Sequence, residues 1–216
     1  MVAAWWHGQY PEWPVMVAAH DDGPWRKAVA IERGVRAVDA DVLVVTDADL
    51  VPYGAGEAVA AVLAGAPWAA PMRGIYRLTE AATATLTTPP AVTDLRPWQI
   101  ERKYAAKLGG GCVVLPAQTW RRVPMDPRFG GWLCEDLSWA LALSALAGGP
   151  WRGQQSAVHL WHPRAECEDR RIGSAANNAL WTRYRCAVTR PLMQALVGEA
   201  IEALAVMANP AVPVLP

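Results

Sequence analysis

The segment that most narrows the fold is Val42 to Thr46, VLVVT, followed at once by Asp47-Ala48-Asp49. Its five uncharged, mostly β-branched residues suit a strand buried on both faces and are too few for a helix. A second apolar run, Pro14 to Ala19 (PVMVAA), lies upstream and ends at His20-Asp21-Asp22-Gly23. Pro24 then suits the first turn of a helix, where its missing N–H costs nothing. Ala28, Ile31, Val35 and Val38 follow at helical spacing. Strand, helix and strand in that order predict a right-handed crossover between parallel strands.

Further along, Gly56 to Ala64 reads as helix and Trp68 to Leu78 as extended chain. Gly111 to Leu115 (GCVVL) is another apolar strand, with a short helix after it that ends near Val123. A turn-rich loop occupies Pro124 to Trp132, and a helix runs from Glu135 to Leu146. Ser156 to Trp161 reads as the last strand, and helices near Ile172–Val188 and Pro191–Ala208 close the chain. Three prolines in Asn209 to Pro216 predict a frayed tail. The expected organisation is one α/β domain over 1–188, with a C-terminal helix and tail over 189–216.

Composition excludes several classes. The 216 residues contain 20 basic and 20 acidic side chains, which removes the electrostatic argument for a nucleic-acid partner. Arginines 164, 170, 171, 183, 185 and 190 gather late in the chain and read as a solvated helix face or a phosphate-facing surface. The four cysteines show no CxxC spacing, so neither a zinc site built on them nor a disulfide framework is implied. No run reaches the roughly 18 uncharged apolar residues of a membrane span. Met1 to Trp6 lacks the sections of a signal peptide. A soluble, cytoplasmic protein without an integral membrane segment is expected.

The chemistry-bearing residues fall in three places. Asp47 and Asp49 follow a buried strand, where ligands of open α/β sheets bind. Two carboxylates there can share Mn²⁺ or Mg²⁺, whose remaining oxygen ligands a diphosphate supplies. Asp126 to Asp136 reads DPRFGGWLCED, with a glycine pair for a tight loop and an aromatic platform beside it. Glu135 and Asp136 sit at a helix entry, where carboxylates interact favourably with the dipole and also serve as caps. Ser156 to Pro163 reads SAVHLWHP and places His159 and His162 near a strand end.

In their order, DVLVVTDADLVP, the GGG-CVVL strand and FGGWLCEDLSWALAL resemble the GT-A glycosyltransferases. The likeness is to family 2-like members with a galactosyltransferase-type Gly-Trp…Glu-Asp segment, and it covers about residues 14 to 165. It implies the GT-A nucleotide-diphospho-sugar transferase fold, a mostly parallel sheet flanked by helices. It also implies metal-dependent, inverting transfer of a sugar from a nucleoside-diphosphate donor, UDP-linked, to a hydroxyl acceptor. On that resemblance Asp136 is the general base, taking a proton from the acceptor hydroxyl, and Glu135 orients a sugar. Gly131 and Trp132 line the acceptor site. Asp22, Lys27 and Asp47 contact the donor. Asp47, Asp49 and His159 hold the metal, with His162, three residues on, the lesser candidate ligand or instead a turn cap.

Two departures from that pattern stand out. Only Met1 to Tyr10 precedes the run at Pro14, so the family's first strand is expected to be missing. Leu133 occupies the position after tryptophan where the family places glycine, and a Cβ there opposes positive φ. The alternatives are a degenerate, non-catalytic nucleotide-sugar-binding module and a nucleotidyltransferase, the latter lacking a glycine-rich basic phosphate loop.

Overall fold

The structure, a computed structural model, describes residues 1–19, 25–131, 134–163 and 175–208. In chain order its first elements are α1 (Val2–Gln9), α2 (Lys27–Arg36), β1 (Val42–Thr46), β2 (Leu50–Pro52), α3 (Ala55–Leu63) and β3 (Ala69–Leu78). Then come α4 (Glu80–Thr85), β4 (Ile100–Ala105), β5 (Cys112–Pro116), α5 (Ala117–Arg122) and α6 (Glu135–Leu146). The last are β6 (Trp151–His159), α7 (Ala175–Cys186) and α8 (Arg190–Met207). The described residues group into two compact units. One draws on Met1–Val17, Asp41–Pro116 and Pro150–Cys167, the other on Ala18–Ala40, Ala117–Gly149 and Glu168–Pro216.

The first unit is built on a sheet ordered β1-β5-β3-β6-β2, with β4 paired to β3. β1 with β5, β2 with β6, and β3 with both β4 and β5 pair antiparallel, and β3 with β6 runs parallel. β1 and β2 are the two ends of this path, yet only Asp47-Ala48-Asp49 separate them. In a flat sheet they would stand four strand spacings apart, about 19 Å. The link from Thr46 to Leu50 reaches about 14 Å at most. The sheet therefore curls into a nearly closed, barrel-like form.

This overturns the expected open, mostly parallel GT-A sheet. The parallel crossover read from the first two apolar runs does not form, because 14–19 belongs to no strand. Met16 and Val17 are largely exposed there, and β1 pairs with β5 in the antiparallel sense. The element types of β1, α2, α3, β3, β5, α5, α6, β6, α7 and α8 agree with the patterning. The tail after residue 208 lies outside the described residues.

Period-two alternation sets the layers of this unit. Leu50, Ile75 and Ala157 face a core shared with Ala58 and Val62 of α3. Their neighbours Val51 and Val158 face the opposite core, with Val2 and Trp6 of α1. Around α1 the rings of Trp5, Trp6, Tyr10, Trp13 and Tyr53 pack together, with Tyr10 stacked on Trp13 at 4.0 Å.

The second unit is helical. In α8 the buried residues Met193, Leu196, Val197, Ala200 and Leu204 recur at helical spacing and form one apolar stripe. α2 instead buries the consecutive Ala28, Val29 and Ala30, not the stripe expected from its sequence. Trp120 and Trp139 meet edge to face at 5.6 Å. Each buried indole finds an acceptor: Trp120 donates to Glu32 at 2.7 Å and Trp139 to the Val123 carbonyl at 2.9 Å.

Candidate metal centre

Asp49, His159 and His162 converge in the first unit, with one ligand atom from each lying within 4.8 Å of the others. The tight turn between β1 and β2 delivers Asp49. It is closed by the Leu50 N–H donating to the Asp47 carbonyl at 3.2 Å. Leu160 N–H donates to the Asp49 carbonyl at 2.8 Å, which ties that turn to the end of β6. β6 ends on His159, directly opposite Leu50 in the ladder, and His162 follows in the irregular chain beyond.

Asp49 Oδ2 stands 3.6 Å from His159 Nε2 and 3.1 Å from His162 Nε2. The other nitrogen of each ring faces a carbonyl, which can only accept. His159 Nδ1 is 2.7 Å from Leu160 O and His162 Nδ1 is 2.8 Å from Pro163 O. Each Nδ1 therefore carries the proton, and in the neutral ring Nε2 presents a lone pair toward the carboxylate. A cation among these atoms would be held by the carboxylate and both ring nitrogens. Ligands about 2.1 Å from a metal stand roughly 3.0 Å apart at right angles and 3.4 Å apart in a tetrahedron. Both measured nitrogen–oxygen separations lie close to that range.

Arg77 braces the centre, and the sequence reading did not single it out. In β3 it lies opposite His159. Its Nη2 donates to the His162 carbonyl at 3.1 Å and its Nε to Glu101 at 3.0 Å. Tyr104 lies in the same field. Burial raises its hydroxyl above the ordinary value, Arg77 opposes that rise and Asp49 adds to it. The period-two pattern places both residues on the face of His159, but the strand pairing needed to see this was not apparent from sequence.

Of the metal ligands expected at Asp47, Asp49 and His159, Asp49 and His159 come together, and His162 joins them in place of Asp47. Asp47 is not among the clustered ligands, although its backbone shapes the turn. His162, the lesser candidate ligand, reaches Asp49 more closely than His159 does.

The remaining candidates belong to the second unit. Lys27 Nζ binds Asp136 Oδ1 at 2.9 Å, so the carboxylate read as a base is engaged by the lysine read as a donor contact. Glu135 and Asp136 open α6 behind Cys134, which takes a left-handed φ of 71°. Gly131 has a φ of 69°, and its N–H donates to the Trp25 carbonyl at 2.7 Å. Buried Asn177 clamps Gly130 from both sides, accepting from its N–H at 3.2 Å and donating to its carbonyl at 2.9 Å. Asp22, Trp132 and Leu133 lie outside the described residues. Of the late arginines, Arg183 pairs with Glu199, and Arg190 donates to the carbonyls of Ala145 and Leu146 that end α6. Cys186 is a free, exposed thiol.

No known protein family, curated protein or solved structure matches this chain. The GT-A resemblance therefore finds no support in comparison, and the curled mixed sheet contradicts it. Sugar transfer and its non-catalytic variant, both resting on the GT-A fold, lose their structural basis with it, and nucleotidyl transfer, read from carboxylates after a strand of a parallel sheet, loses its own. Among the described residues no helix is long and apolar enough to cross a membrane.

Proposed function

We propose that this chain is a divalent-cation-binding protein, with the cation held by Asp49, His159 and His162 and its remaining positions open to an oxygen ligand. The observation that carries this reading is the pair of Nδ1–carbonyl contacts, which leaves both Nε2 lone pairs facing the Asp49 carboxylate. Three protein ligands with open positions match the pattern of reactive metal sites rather than closed structural ones. The chemistry supplied is that of a Lewis acid, polarising an oxygen bound to the metal. Two imidazoles and one carboxylate suit Zn²⁺ or Fe²⁺ better than Mg²⁺, which prefers an all-oxygen shell.

Isothermal titration of the metal-free chain with Zn²⁺ tests the reading. One equivalent should bind. Since loss of an outer-shell partner alone costs about 10–100-fold in affinity, Asp49→Asn and His162→Ala should each lose at least that much. Co²⁺ substitution should give a visible spectrum with nitrogen ligation that both variants lose. Unchanged stoichiometry and affinity in Asp49→Asn and His162→Ala would sink the assignment.

A further inference from the structure

We propose that the metal centre binds a small organic oxyanion, a carboxylate or a phosphate monoester, with one oxygen on the cation and another on the guanidinium of Arg102. This rests on the cation reading above and names the class of ligand that fills the open position. Arg102 decides the class, and it belongs neither to the three ligands nor to their brace at Arg77.

Strand pairing brings Arg102 to the centre. Arg102 of β4 lies opposite Arg77 of β3, and Arg77 lies opposite His159 of β6. Residues directly opposite in a ladder share a face of the sheet. The three side chains therefore form a row that crosses two strand spacings, about 10 Å. Tyr104, two residues further along β4, shares that face. The Arg102 guanidinium carbon lies over its ring, 5.3 Å from the centroid. After burial, what acts on the Tyr104 hydroxyl is the charge of Arg77, Asp49, Arg102 and Asp47, so metal ligand and guanidinium are both close to one ring.

The charges in this row call for an anion. Like charges directly opposite in a ladder destabilise it. Arg77 is offset, because its Nε donates to Glu101 at 3.0 Å and its Nη2 to the His162 carbonyl at 3.1 Å. Among the described residues Arg102 has no carboxylate partner, and its guanidinium is held by the Tyr104 ring face. Arg102 is exposed, which leaves its fork of donors open to a ligand. Asp47 and Asp49 offset the two charges of a bound cation, and the charge of Arg102 remains for the ligand to neutralise. A planar guanidinium matches carboxylate and phosphate oxygens in a bidentate way. A neutral ligand on the metal would leave it unpaired.

The experiment uses the full chain loaded with Co²⁺, titrated with acetate, with methyl phosphate and, as a neutral control, with acetamide. The readouts are the Co²⁺ visible spectrum and the heat of binding. At least one anion should change the spectrum saturably, and the tighter of the two tells carboxylate from phosphate. Acetamide at the same concentrations should change nothing. Arg102→Ala should hold Co²⁺ as tightly as the unsubstituted chain and weaken the anion about tenfold, the low end for a lost hydrogen bond to a charged group, since Arg102 is exposed. Arg102→Lys keeps the charge without the fork and should fall between the two. Co²⁺ binding with no saturable anion response overturns the proposal and leaves the cation reading standing. So does an anion affinity unchanged in both variants, or heat without a spectral change. Failure of the unsubstituted chain to bind Co²⁺ overturns the cation reading and this site with it.

Discussion

Asp126→Asn should be among the most destabilising isosteric changes in this chain, because Asp126 is the buried anion that organises the helical unit. Its side chain is 1% exposed and accepts from the Arg128 guanidinium, with Nη2 at 2.6 Å and Nε at 2.9 Å. It also accepts the Arg128 backbone N–H at 2.9 Å and the Tyr184 hydroxyl at 2.9 Å. Burial alone would lower the Arg128 guanidinium, but its hydrogen bonds to Asp126 and Glu199 outweigh that and hold it above the ordinary arginine range. Burial, and then the Asp126 charge, raises the Tyr184 hydroxyl well above the ordinary tyrosine value, so Tyr184 stays a donor. Asparagine keeps the shape but turns one of the two oxygens into a donor. Either amide orientation then sets N–H groups against N–H groups. Removing one partner of a buried ion pair costs about 3–5 kcal/mol. The low end applies here, since Arg128 keeps Glu199 and is 24% exposed. About 3 kcal/mol corresponds to a fall in Tm of roughly 6–12 °C for a chain of this size. Tyr184→Phe removes one hydrogen bond to a charged group and should cost about 1.5–3 kcal/mol. Thermal unfolding followed by near-ultraviolet circular dichroism measures both, and the double variant gives their coupling. An Asp126→Asn protein melting within 2 °C of the unsubstituted chain would refute the reasoning.

Acid should act first on the outer member of the same network. Hydrogen bonds from Arg183 and then Arg128 lower the Glu199 carboxyl to about 2 from its model-peptide value of 4.5. A depressed carboxyl stabilises the fold above pH 4.5, and that stability is lost as pH falls from 4.5 through 2. With 42% of the side chain exposed, screening keeps the loss to at most about 1 kcal/mol. Glu199→Gln should flatten the stability profile in that window, and an unchanged profile would count against the pairing. Two glycine substitutions should have opposite signs. A Cβ on Gly153 would lie 2.0 Å from the Pro71 carbonyl oxygen, so Gly153→Ala should destabilise by about 1–3 kcal/mol or more. Gly198→Ala, inside α8 with nothing within 4 Å of the added carbon, should stabilise by about 0.5–1 kcal/mol. Chemical denaturation separates the two, and equal effects would contradict both.

Much of the secondary structure was legible because it depends on local period. β1 and β5 are short apolar runs with β-branched residues, and α6 and α8 carry long apolar patterns. What was not legible is which strand lies beside which. PVMVAA at 14–19 has the composition of a strand, yet composition does not supply a partner ladder, and β1 takes β5 instead. β2 is only three residues long, too short for alternation to register. β4 reads IERKYA, with three charged residues in succession. That composition belongs to an edge strand guarded against aggregation and is easily mistaken for a loop. Because the paired partners were wrong, the hand and openness of the sheet were wrong as well.

The metal centre shows the same division between local and distant information. Asp49 was legible from its place after a buried strand, and His159 from its place at the end of another. His162 was underweighted, because His159 fits the ligand position implied by the resemblance better, counted from the following proline, and His162 also suits a turn cap. β6 stops at His159, and the irregular chain beyond it brings His162 back to Asp49. The tautomers that turn both rings into ligands depend on carbonyls one residue further on, at Leu160 and Pro163. Arg77 then holds the His162 carbonyl from a strand more than 80 positions away. The residue types were therefore visible in the sequence, while the condition that makes them a cation site was not. That condition is the convergence of two Nε2 atoms on one carboxylate, and it arises from backbone geometry.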